Sequence, residues 1–514
     1  MADKKDFKNI IISIFSKFSY QVIQILVIFF LTPFMIKTLG DYKYGLWVLV
    51  NVFASYCIYA DLGLSSAIER NLAVAIGEDN EKEFKSIFVN GLMLNLFSFI
   101  IVIIAAIAAF YFINLLQIKD YSLISVLIFL IGLNLAFTFP FRSFYGIIAA
   151  NIRFDIIAGV NLFQLLSNAL LSVYVLLNGY GLVALALVQL FSTMAANFSY
   201  LYFAPRLTNY IIYDFKLLSK NVIKKLFNYS GKTFLVQLTD ILKFKLDEFV
   251  TASFISISQV TMYSIGNKLN NNAKQFFGCF LVVLHPLFSK NMNVKSDEEK
   301  AKLFYFTSKI MITASSMFFF GFLFLGKQFI GLWVGQEYSI AYYVLIALAF
   351  FSFISNIQGV GIQYLFSANK HQYTAFIGIL EGVLNVGFSL IYVIYFKLGV
   401  VGVALGTLTP ALLTKLVLLP GYVCKVMKFK LRDYYYFLLK NIIIGGLIYL
   451  PAGLFAFSFG IDNYIEFFSF AFGFVLLSLV HFTFITTKQE KNALFNKLMS
   501  EFKLRKIKNE NLQT

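Results

Sequence analysis

Apolar stretches of about 20 residues or more recur along the whole chain, each long enough to cross a bilayer core. This feature constrains the fold more than any other. The composition agrees with it: 59% of residues are hydrophobic and 13% charged, against roughly 25% charged in a soluble domain. Mean hydropathy is +0.76. The sequence therefore reads as an all-α polytopic membrane protein with fourteen spans. Their expected limits are 10–36, 44–67, 86–113, 121–148, 154–177, 181–204 and 228–251, then 259–288, 303–326, 338–366, 373–396, 399–424, 434–457 and 464–487. No secretory signal peptide is expected, because MADKKDFKNI leads into a span too long for an h-region and shows no small-residue cleavage site.

Basic residues orient the bundle. With an even number of spans both termini share one side, and the clusters Arg206, Lys216, Lys220, Lys224, Lys225 and Lys425, Lys428, Lys430, Arg432 fall on it. The other side carries only Lys37, Lys43, Lys119, Lys327 and Lys397 outside the spans. The positive-inside rule makes the basic side cytoplasmic. Topology and anionic lipid account for most of the net charge of +17. Nucleic-acid binding needs a folded basic surface, and no soluble segment is long enough to supply one.

The connections leave no room for an outer catalytic domain. Cys57, Cys279 and Cys424 are scattered, as are His285, His371 and His481. No metal spacing, phosphate-binding glycine loop or nucleophile constellation emerges. No enzymatic activity and no cofactor are expected.

A repeat organises the chain. Residues 150–187 and 368–405 align without a gap at an offset of 218, with ten identities in 38 positions. Ala150/Ala368, Asn151/Asn369, Tyr174/Tyr392 and Gly181/Gly399 are among them. The offset equals six spans, so the two halves share one orientation. Parallel repeats of this kind are a transporter architecture. The expected divisions are a six-helix lobe at 1–206, a cytoplasmic linker at 207–227, a second lobe at 228–426, two further helices at 427–487 and a basic tail at 488–514.

LGDYKYGLW (39–47), DLGL (61–64) with Arg70, TMYSIGNKL (261–269), HPLFS (285–289) and GLVALAL (181–187) together resemble the polysaccharide repeat-unit flippases. These belong to the multidrug/oligosaccharidyl-lipid/polysaccharide exporter superfamily. The resemblance implies two pseudo-symmetric six-helix lobes in a V shape with two trailing helices. It also implies passage of an undecaprenyl-diphosphate-linked oligosaccharide from the cytoplasmic to the outer leaflet of a bacterial or archaeal plasma membrane. Partners would be that lipid, the bilayer itself, and the polymerase and glycosyltransferases of the same pathway. The alternatives are a multidrug or cation exporter of the superfamily and, from a different class, a membrane glycan polymerase or glycosyltransferase.

Charges inside spans are the candidate site residues, since each costs roughly 2.5–3.5 kcal/mol at the bilayer centre. LVQLTDILKFKLDEFVTASF (235–254) carries Asp240, Lys243, Lys245, Asp247 and Glu248. Lys243 with Asp247, and Lys245 with Glu248, are spaced to pair on a helix; lining a water-filled cavity is the other reading. Arg142, Lys243, Lys245, Lys268 and Lys274 are candidates to meet a diphosphate, for which Arg offers a forked donor set; for Arg142 the rival role is anchoring its helix at the cytoplasmic interface. Arg70 and Arg153 sit at inner span ends, where they serve either the headgroup or interface anchoring. Asp61 is a further intramembrane carboxylate. Glu381 stands opposite Phe163 in the repeat, so it either couples transport to a proton or sodium gradient or pairs with a lysine. NNNAK (270–274) offers polar groups for sugars or for interhelical hydrogen bonds.

Overall fold

A computed structural model describes residues 4–57, 61–116, 120–208, 215–228, 230, 246–292, 295–370 and 372–492. No strand occurs among them. Contacts divide the chain into two compact units, Met1–Thr261 and Met262–Thr514.

In the first unit, α1 (Lys4–Cys57) bends at Gly40, whose φ of +73° is non-helical. It thus carries the first expected span and most of the second. The second ends early, because Leu62 and Gly63 take left-handed φ of 49° and 78°. The chain restarts as α2 (Leu64–Gly77), so Asp61 stands at a break between helices and not inside a continuous span. α3 (Glu81–Leu116) follows. The expected span 121–148 is also broken, into α4 (Tyr121–Ala136) and α5 (Phe139–Ala150). Pro140, in the first turn of α5, has no N–H to donate to the preceding turn. α6 (Phe154–Leu177), α7 (Gly181–Phe203) and the short α8 (Asp247–Phe254) complete the unit. α3 packs on α4, α6 on α1, and α2 on α5. A core around Ile68, Leu72, Phe84, Phe88, Phe144 and Ile147 ties α2, α3 and α5 together.

α9 (Ile257–Asn291) leads into the second unit. There α10 (Asp297–Trp333) opens with a capping box between Ser296 and Glu299, and α11 (Ile340–Ser367) packs along it. α12 (Gln372–Leu390) and α13 (Gly399–Leu413) lie against each other. Each widens into a π turn, at Ile391–Tyr395 and Thr414–Leu418. α14 (Leu419–Met427), α15 (Leu431–Phe459) and α16 (Tyr464–Ile485) follow. Gly406 of α13 sets its spacing to α12. A Cβ there would overlap the Ser389 hydroxyl and lie 2.6 Å from the Ser389 Cα and N.

Eleven described helical segments are long and apolar enough to cross a membrane, so the chain is a multi-pass membrane protein. Of the other expected spans, the second shares α1, and 228–251 lies mostly outside the described residues. The span at 259–288 is α9, long but interrupted by NNNAK. The repeat reappears in the backbone. α6 begins at Phe154 and α12 at Gln372, one offset apart. The connections that follow turn left-handed at Gly179 and Gly181, and again at Lys397 and Gly399.

Candidate functional site

In the first unit a charge at the break before α2 meets one on α5. Arg142 Nη1 lies 2.9 Å from Asp61 Oδ1, with the Arg142 side chain 19% exposed. Its guanidinium also sits over the Phe139 ring, 4.4 Å from the centroid. Asp61 further accepts from the Ser65 hydroxyl at 2.8 Å and the Ser65 N–H at 3.1 Å. The left-handed turn at 62–63 aims the carboxylate at this first turn of α2. A guanidinium has five N–H donors, so a pairing through one of them leaves Arg142 able to hold a second anion.

Arg70 is exposed on α2 and lines a pocket of about 630 Å³ with Glu69, Asn151 and Ile152. Arg153, on the connection from α5 to α6, forks onto Asp155. Its Nε lies 3.0 Å from Oδ1 and its Nη2 2.9 Å from Oδ2. A diphosphate at Arg153 would have to displace that carboxylate. Lys243 and Lys245 fall outside the described residues, so the pairing expected for them has no geometry here. Asp247 and Glu248 open α8 and are buried, at 4% and 5% exposure.

A second cavity in this unit, of about 410 Å³, lies among α1, α6 and α7. Its wall includes Trp47 and Asn51 of α1, Asn161, Gln164 and Asn168 of α6, and Gln189 of α7. Among the described residues none that lines it is charged. These amides are not among the residues singled out from the sequence, where NNNAK was the polar run that stood out. The signal was nevertheless present: Asn161, Gln164, Asn168 and Ser172 recur at helical spacing along one face of an otherwise apolar span.

In the second unit Lys268 and Lys274 are half-buried on α9, and Lys274 sits over Phe351, 5.1 Å from the ring centroid. Asn270 of the NNNAK run accepts a 2.8 Å bond from Ser352 of α11, the interhelical role. Glu381 pairs with a lysine: Lys415 Nζ is 3.3 Å from its Oε2. Thr414 donates to the same oxygen at 2.8 Å. Glu381 is 3% exposed and Lys415 7%. The π turn at Thr414–Leu418 brings both consecutive side chains onto one carboxylate. Beside them Ser389 donates to Asn385 at 3.1 Å. No group of three or more metal-ligating side chains forms among the described residues.

Comparison with known proteins gives a consistent picture. The family model described as "Polysaccharide biosynthesis protein" matches residues 7–292. No match is found among curated protein sequences. The lipid II flippase MurJ, in an inward closed conformation, is a similar solved structure. Its TM-score is 0.65 at 16% identity, with 95% of this chain and 100% of that one covered. An inward-facing multidrug resistance transporter of the MATE family, in the MOP superfamily, gives TM-score 0.65 at 15% identity, covering 79% and 99%. A MOP superfamily transporter from Pyrococcus furiosus, with a binding pocket of reverse polarity, gives 0.55 at 16%, covering 82% and 95%. At such identities these likenesses speak to the fold, which is that of the MATE and MurJ transporters.

Proposed function

Since the chain belongs to the polysaccharide biosynthesis protein family, we propose that it is a flippase for an undecaprenyl-diphosphate-linked oligosaccharide. The lipid is carried from the cytoplasmic to the outer leaflet by alternating access, for cell-surface polysaccharide. Both termini lie in the cytoplasm, and no covalent chemistry is performed. The observation that carries this reading is the family match on a chain with a transporter fold. The likeness to a lipid flippase over its whole length and 95% of this chain supports it further.

The distribution of charge is in keeping with an anionic headgroup. Arg70 borders an open pocket, and Arg142 holds its carboxylate through one donor while part of its side chain stays accessible. Guanidinium forks suit phosphate oxygens. The multidrug reading is less well served: Asp61 and Glu381 are balanced by Arg142 and Lys415, so neither is the uncompensated carboxylate that a cationic drug calls for.

The test is reconstitution. Purified protein in vesicles carrying the lipid-linked oligosaccharide on one leaflet should expose the glycan to an external glycosidase well above protein-free vesicles. Exposure at the protein-free rate would overturn the proposal. Arg142→Ala should slow exposure while the protein still inserts.

A further inference from the structure

The uncharged cavity in the first unit has a composition unusual for a membrane-spanning region. Polar side chains in a span are costly unless they pair or line a wet space. Some of these do pair. Gln164 donates from Nε2 to Thr193 at 2.9 Å, Gln189 from Nε2 to Asn51 Oδ1 at 3.3 Å, and Asn51 from Nδ2 to the Trp47 carbonyl at 2.8 Å. The Tyr200 hydroxyl donates to Asn161 Oδ1 at 2.8 Å. These bonds fix the amides but do not exhaust them. The Oε1 atoms of Gln164 and Gln189, the Nδ2 of Asn161 and the whole Asn168 amide make no hydrogen bond among the described residues. Unused acceptors and donors are therefore both left among the lining amides, and the aromatic residues Trp47 and Tyr20 line the same cavity.

Chemistry narrows the occupant. A diphosphate would need cations on the wall, and a cationic drug would need carboxylates; the described lining residues include neither. A sugar hydroxyl both donates and accepts, so it matches a wall of mixed amide groups, while the apolar face of a pyranose packs on an aromatic ring. The volume of about 410 Å³ falls within the roughly 300–1,000 Å³ of small-molecule sites. We propose that this cavity is a glycan subsite that binds a neutral sugar of the transported lipid-linked oligosaccharide, apart from the groups that meet the diphosphate. The inference rests on the flippase reading for the identity of its ligand.

The chain contains two tryptophans. Trp47 lines the cavity, while Trp333 is buried at 4% exposure in the second unit. A Trp333→Phe protein thus reports on Trp47 alone. It is titrated with three probes: the lipid-linked oligosaccharide extracted from cells that make this protein, bare undecaprenyl diphosphate, and the oligosaccharide released from its lipid. Native mass spectrometry follows binding of both lipids in parallel. The glycosylated lipid and the released oligosaccharide should shift Trp47 emission saturably, and the bare lipid should bind without doing so. Asn168→Leu, with one amide removed and no partner orphaned, should weaken the glycosylated lipid about tenfold and leave the bare lipid unchanged. Asn168→Gln should recover most of the loss, and Gln189→Leu should repeat it.

Three results would overturn the subsite: glycosylated lipid that binds with no change at Trp47, equal weakening of both lipids in the Leu variants, or no weakening of either. If neither lipid binds but the released oligosaccharide still shifts Trp47, the flippase reading falls and the sugar site stands. Silence toward all three probes ends both.

Discussion

The Glu381–Lys415 pair permits a sharp test of how the second unit is built. Both groups are nearly sealed, at 3% and 7% exposure, and they sit 3.3 Å apart between α12 and α13. Removing one partner leaves a buried charge uncompensated, which typically costs about 3–5 kcal/mol. Glu381→Gln strands the ammonium of Lys415. Lys415→Met takes the cation from beside the carboxylate, to which Thr414 still donates at 2.8 Å. That retained bond to a charged group is worth about 1.5–3 kcal/mol, so Lys415→Met should be the milder change. Replacing both with apolar or neutral groups of similar size is often neutral or stabilising, so the double variant should recover to within about 1 kcal/mol of the parent. The assay is thermal unfolding of the four proteins in one detergent, with the coupling read from the double-mutant cycle. A double variant as unstable as the two singles added together would refute the reasoning. Singles that melt with the parent would do so as well.

Two further outcomes follow from local geometry. Gly406→Ala should destabilise the second unit by about 1–3 kcal/mol, read as a lower melting temperature, and Ser389→Ala should not rescue it, because the clash involves the Ser389 backbone as well as its hydroxyl. Beyond α16, Glu490 grips Lys309 at 2.8 and 3.0 Å. Burial raises its pKa, but the Lys309 and Thr487 hydrogen bonds outweigh that and hold it below the ordinary 4.5. A depressed carboxylate stabilises fully above its unfolded value and loses that contribution as pH falls through the folded one. The melting difference between parent and Glu490→Gln should therefore be constant from pH 7 to about 5.5, begin to shrink as pH falls towards the ordinary 4.5 and vanish only below the depressed folded value; a difference that stays constant into strong acid would disprove the ion-pair origin.

Hydropathy is local, so the sequence by itself determined where most helices run. The span expected at 154–177 is α6 to the residue, and those near 181–204 and 338–366 differ from α7 and α11 by a few residues at most. The repeat was equally legible, because left-handed turns at Gly181 and Gly399 leave a glycine signature. The breaks at Leu62–Gly63 and before Pro140 were harder, since short non-helical links hardly lower a windowed average. Neither did the sequence say which charges answer one another. Asp61, at the break before α2, and Arg142, on α5, are separated in the chain by the whole of α2, α3 and α4, and Glu381 meets Lys415 only because α12 and α13 pack closely at Gly406. The amide cavity draws on three helices, and only α6 carried a readable polar stripe. A charge or amide in a span announces that it needs a partner, because the bilayer offers none. Which partner it takes depends on helix rotation and crossing, and these arise only when side chains from distant segments pack together.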